Sequence, residues 1–114
     1  ANKPREAAVE LTEAASAAET DPLAADARYF QAVALIKAGL GAEAERALIT
    51  FLDHAPHSLR RGRAAVMLGR LIAGRGDARS ARAWFEAAIA DPDRDVAAAA
   101  RTGLDDLARR PAGP

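Results

Sequence analysis

The sequence predicts an all-α fold in which about six helices pair as antiparallel hairpins stacked into a short solenoid. Three observations carry this. Thirty-two of the 114 residues are alanine, the strongest helix former, and no run of β-branched residues alternates with period two. Glycines, prolines and short polar caps cut the chain into evenly sized segments. The pattern of small and large residues also repeats after 37 positions.

The first predicted helix covers residues 4–19, where Pro4 suits a first turn and Ala7, Ala8, Leu11, Ala14, Ala15 and Ala18 recur at three- and four-residue steps. Asp21-Pro22 reads as an N-cap followed by proline at the first helical position, where a missing N–H costs nothing. The second helix then runs to about Ala38 with Ala25, Tyr29, Ala32, Val33, Leu35 and Ile36 as its apolar stripe, and stops at Gly39. The third buries Ala44, Ala47, Leu48, Phe51 and Leu52 and ends before Ala55-Pro56, because a residue preceding proline is pushed out of the α region. Ser58 is the expected cap of the fourth helix, which carries Ala64, Ala65, Leu68, Leu71 and Ile72 and closes at Gly74 and Gly76. Asp77 caps the fifth, with Ala81, Trp84, Phe85, Ala88 and Ile89 on its inner face. Asp91-Pro92 repeats the earlier cap, and the sixth helix continues to about Arg109 before Pro111 and Gly113.

The 37-residue shift sets Ala32 on Gly69, Leu35 on Ile72, Gly39 on Gly76, Ala44 on Ala81, Leu48 on Phe85, Phe51 on Ala88 and Leu52 on Ile89, and Pro56 meets Pro92 after a one-residue slip. Small residues let two helices approach, and large ones fill the gaps between hairpins. At these positions the chain resembles the tetratricopeptide repeat family, with its small, large, turn-glycine, small, aromatic and terminal-proline sites. It departs from that pattern at Arg28 and Ala65, where an aromatic is usual, and at Phe51, where alanine is. The resemblance implies a right-handed solenoid forming a single domain over 1–114. Residues 4–19 would complete a preceding repeat, 22–56 and 58–92 would be full repeats, 93–110 a capping helix and 111–114 a tail.

Ala27-Arg28-Tyr29-Phe30 and the run from Phe51 to Ser58 are similar to a bacterial envelope subfamily. It comprises the TolA-binding cell-division coordinator proteins and lipoproteins of the outer-membrane assembly machinery. That similarity implies a bacterial periplasm or cell envelope location, with the cytoplasm as the alternative. A chain starting at Ala1 is expected to be a processed product or an excised piece, so a removed targeting segment remains compatible with it. No apolar stretch reaches the roughly 18 residues that a membrane helix needs.

Cysteine is absent, which removes disulfides, thiolate catalysis and cysteine-held metals. His54-Ala-Pro-His57 beside Asp53 is the one metal-like constellation; lacking further ligands, it reads as an inter-repeat loop, and no metal or other cofactor is expected. Gly39, Gly41, Gly74 and Gly76 have no preceding strand and no following Gly-Lys-Ser/Thr, so they read as helix ends and not as a phosphate loop. Nothing in the inventory pairs a nucleophile with a base, so no enzymatic activity is expected.

Net charge is zero but uneven. Residues 1–57 hold 5 basic and 9 acidic side chains, and residues 58–114 hold 11 and 7. Between Arg60 and Arg82, seven arginines face only Asp77. In solenoids the first helix of each pair lines a concave surface that holds partners. The resemblance places Tyr29, Val33, Ile36, Lys37, Arg63, Val66, Arg70 and Arg101 there, a groove suited to a protein or peptide with apolar and acidic groups. The acidic series Glu6, Glu10 and Glu13 leaves self-association as an alternative. Nucleic-acid binding through Arg60 to Arg82 is a further one, disfavoured by the lack of stacking aromatics among these arginines.

Overall fold

A computed structural model describes residues 22–110, and within them every regular element is helical. In chain order these are α1 (Pro22–Lys37), α2 (Gly41–His54), α3 (Arg61–Gly74), α4 (Ala78–Ala88) and α5 (Arg94–Arg109). The expected helix at 4–19 and the tail at 111–114 lie outside the described residues. None of the described helices is long and apolar enough to cross a membrane.

Helices α1 and α3 stop in the same way. Gly39 (φ 78°) and Gly76 (φ 94°) take the left-handed conformation, which a side chain would strain. Around the first, Leu40 N–H donates to Leu35 O at 2.9 Å and Gly39 N–H to Ile36 O at 3.0 Å; around the second, Asp77 donates to Ile72 O at 3.2 Å and Gly76 to Ala73 O at 3.0 Å. Each pair of bonds satisfies carbonyls that the helix end would otherwise leave open, and turns the chain straight into its neighbour. Helix α2 ends where Ala55 leaves the α region ahead of Pro56, with its N–H still bonded to Phe51 O.

Two helix starts differ from expectation. Ser58 does not cap α3 directly: its Oγ accepts from Arg60 N–H, two residues on, and its carbonyl accepts from Arg61 N–H. A turn is thereby inserted, and α3 begins at Arg61. Likewise Asp91 uses its carboxylate to accept from Asp93 N–H, closing a turn over Pro92, so the cap of α5 falls to Asp93, whose Oδ1 accepts from Asp95 N–H at 2.9 Å. At α4 the expected cap is present, with Asp77 Oδ1 accepting from Ser80 N–H at 3.1 Å.

The chain divides into two compact units, the first ending at Arg61 and the second beginning at Gly62. In the first, α1 and α2 form a hairpin. Tyr29 and Phe51, on either side of the turn, lie ring to ring at 5.6 Å over a core of Ala32, Leu35, Ala44 and Leu48. In the second, Phe85 of α4 is clasped by glycines of its two neighbours. A β-carbon at Gly69 would sit 2.8 Å from the ring and one at Gly103 would sit 2.5 Å from it. Ala64, Leu68, Ile72, Ala81, Ala100 and Leu107 complete this core.

Positions related by the 37-residue shift share environments. Ala32 and Gly69, Leu35 and Ile72, Ala44 and Ala81, Leu48 and Phe85, and Phe51 and Ala88 are all buried. The outermost pair departs from the expected buried faces: Leu52 is half-buried and Ile89, standing just past the end of α4, is 37 % exposed. Trp84 and Leu71 are likewise only half-buried.

Candidate protein-interaction surface

The eight residues expected to line a groove divide between the units. Tyr29, Val33, Ile36 and Lys37 belong to the first, and Arg63, Val66, Arg70 and Arg101 to the second. Two of them are corrected by the structure. Tyr29 is 7 % and Val66 4 % exposed, so both are core residues and not anchors for a partner. The repeat gives the reason: the 37-residue shift places Tyr29 on Val66, and this shared position points into each unit's interior. On α1, Val33 and Ile36 are half-buried and Lys37 is exposed, leaving a partly apolar turn that ends in a cation.

The arginines of the second unit have separate tasks. Arg63 is exposed but engaged, its Nη2 lying 3.2 Å from Oδ2 of Asp93, whose other oxygen caps α5. Arg63 therefore steadies a helix start. Arg70 is exposed on α3 with no ion-pair partner among the described residues, and Arg101 is exposed on α5.

Arg70 stands at the edge of a cleft of about 210 Å³ formed by the C-terminal halves of α3 and α5. Its floor is apolar, from Ala73, Phe85 and Leu107, and Gly74 and Gly103 leave it uncrowded. Thr102, Asp106 and Arg110 form the polar remainder. Arg110 is fixed from below, with Nη1 donating to Ala73 O at 2.8 Å. This is a second bond to a carbonyl that already accepts from Gly76 N–H, at the end of α3 where the helix dipole favours a cation. Asp106 is offset by Arg109 at 3.2 Å.

Sequence reasoning named Arg70 and Phe85 but missed the cleft, because its other wall, from Thr102 to Arg110 at the end of α5, lies outside the aligned 37-residue register. Gly103 was the available signal. A glycine deep in α5 costs about 1 kcal/mol against alanine, and such a position is kept where something must approach closely; here it is the ring of Phe85.

A second constellation belongs to the first unit. Arg60, expected within a basic face, points its Nε at Asp26 Oδ1 at 3.2 Å and lays its guanidinium 4.7 Å from the Phe30 ring centre and 5.1 Å from that of Tyr29. The cation–π contacts and the ion pair hold the connector after α2 against α1. His54 is turned back onto its own helix, its Nδ1 2.9 Å from Thr50 O. Among the described residues no three histidine or carboxylate side chains converge on a metal-sized site.

No family model matches this chain, and neither the curated proteins nor the solved structures include a match to it.

Proposed function

We propose that this chain is a non-catalytic protein-interaction module of tetratricopeptide-like hairpins that takes a peptide or helix carrying apolar and acidic groups. The observation that carries the reading is the cleft of α3 and α5, in which the exposed Arg70, without an ion-pair partner among the described residues, stands beside an apolar floor. Apolar contact supplies affinity at such surfaces, and a charged neighbour supplies orientation. Three of the seven arginines between Arg60 and Arg82 are engaged with Asp26, Asp93 and Asp77, which weighs against a nucleic-acid face built on that segment.

The test is selection of random displayed peptides on the immobilised chain, followed by fluorescence anisotropy of the retained sequences. Retained peptides are expected to carry Asp or Glu next to Leu, Ile, Phe or Met, and to bind Arg70→Glu more weakly than the wild type. Recovery of no binding peptide, or of peptides indifferent to charge, overturns the reading.

A further inference from the structure

The size, floor and charge of the α3/α5 cleft together specify an occupant. We propose that it is a subsite for one acidic side chain within a partner peptide, whose carboxylate lies between Arg70 and Arg110 while a neighbouring aliphatic side chain rests on Phe85 and Leu107. This rests on the reading of the chain as a protein-interaction module and adds the chemistry of one subsite.

Size sets the first limit. Drug-sized ligands occupy pockets of about 300 Å³ or more, and a helix is about 10 Å across. A cleft of about 210 Å³ admits one or two side chains and leaves the peptide backbone outside. Charge sets the second. With Asp106 offset by Arg109, the guanidinium groups of Arg70 and Arg110 have no carboxylate of their own among the described residues. Arg110 is already held by the Ala73 carbonyl, so ordering it on a ligand costs less than ordering a free arginine. Its remaining N–H groups and those of Arg70 are donors suited to a carboxylate.

The same surroundings select a single negative charge over a doubly charged phosphate. Both lining helices direct their C-terminal ends here, α3 ending at Gly74 and α5 at Arg109. Helix C-termini carry partial negative charge, so a second charge on the ligand is opposed.

The probe is a peptide blocked at both ends, acetyl-Leu-Glu-Leu-amide, titrated into the isotope-labelled chain and followed by amide chemical shifts. Its Leu-Gln-Leu and Leu-phosphoserine-Leu counterparts are run beside it. Shifts are expected to cluster at Arg70, Gly74, Thr102, Gly103 and Arg110. Replacing Glu by Gln should weaken binding about tenfold or more, as loss of a charge-assisted hydrogen bond does. Arg70→Gln should reproduce that loss with an unchanged melting temperature, while Arg82→Gln leaves binding as it was. Arg110→Gln should weaken binding as well, and its melting temperature separates this from loss of the α3 carbonyl contact.

Equal binding of the Glu and Gln peptides, tighter binding of the phosphoserine peptide, or shifts centred elsewhere would each overturn the subsite. If displayed peptides are retained by the chain and still bind Arg70→Gln and Arg110→Gln normally, the subsite alone falls and the module survives. If no peptide is retained at all, the module reading falls with it.

Discussion

Two glycines show how differently one residue type is used. At Gly103 an added methyl group would press on the buried, rigid ring of Phe85, whereas at Gly74 a β-carbon meets nothing within 4 Å. Alanine is worth about 1 kcal/mol more than glycine inside a helix. Gly74→Ala is therefore expected to raise the denaturant midpoint slightly. Gly103→Ala is expected to lower it, because overpacking of about 1–3 kcal/mol exceeds the propensity gain. Equal effects of the two would show that Phe85 is not clasped. Ala44 and Ala81, both fully buried, give a parallel test: phenylalanine at either should destabilise by about 1–3 kcal/mol, read from the unfolding midpoint. At this scale the sequence was informative where residues repeat. The small positions Ala44, Ala81 and Gly69 follow from the 37-residue register, but Gly103 does not, and with it went the cleft. Tyr29 and Val66 were misplaced for another reason: an aromatic and a valine on a helix look alike whether they face a groove or a core, and only the packing of the neighbouring helix decides.

The elements were legible wherever one residue determines the end. Gly39 and Gly76 stop α1 and α3 because the left-handed turn admits glycine, and Pro56 stops α2 because it excludes Ala55 from the α region. Starts were harder. Ser58 and Asp91 carry good capping side chains, yet each spends its acceptor on a turn two residues on, shifting the helix start downstream. Asp77 is the cap that reads correctly, and it has a pH consequence. Hydrogen bonds from Ser80 hold its carboxyl below the usual carboxylate value, with Arg75 and Arg79 adding to the effect. A depressed folded-state pKa gives stability that is present above the unfolded value and lost as pH falls through the folded one. Thermal melts should show this contribution fading below about pH 4. Asp77→Asn keeps a capping oxygen but has no titrating group, so the mutant should lose less stability than the wild type between pH 5 and pH 2. An unchanged acid dependence in that mutant would mean that Asp77 does not report on α4.

For the whole molecule, net charge is uninformative and its distribution is not. The excess of acid before residue 58 and of base after it is written in the sequence, but which arginines remain available depends on partners that periodicity cannot supply. Arg60 is taken by Asp26 and two rings, and Arg63 by Asp93, so reversing Arg63 would set two carboxylates together at the start of α5 and disturb folding as well as binding. Arg70 gives the cleaner test. Arg70→Glu should leave the helical circular-dichroism spectrum and the melting temperature close to wild type, because the side chain is exposed without an ion-pair partner among the described residues. It should weaken a selected acidic peptide most at low salt, since exposed charges more than about 8–10 Å apart are largely screened at physiological ionic strength while the contact pair itself persists. The double change Arg79→Glu and Arg82→Glu on α4 supplies the control. Those side chains are exposed but do not line the cleft, so they act only through the long-range field. Their effect on affinity should vanish on raising salt to physiological strength, whereas that of Arg70→Glu should persist in part through direct contact. If instead the α4 double mutant loses the peptide at physiological salt and Arg70→Glu retains it, the partner uses α4, and the surface assigned to α3 and α5 is the wrong one.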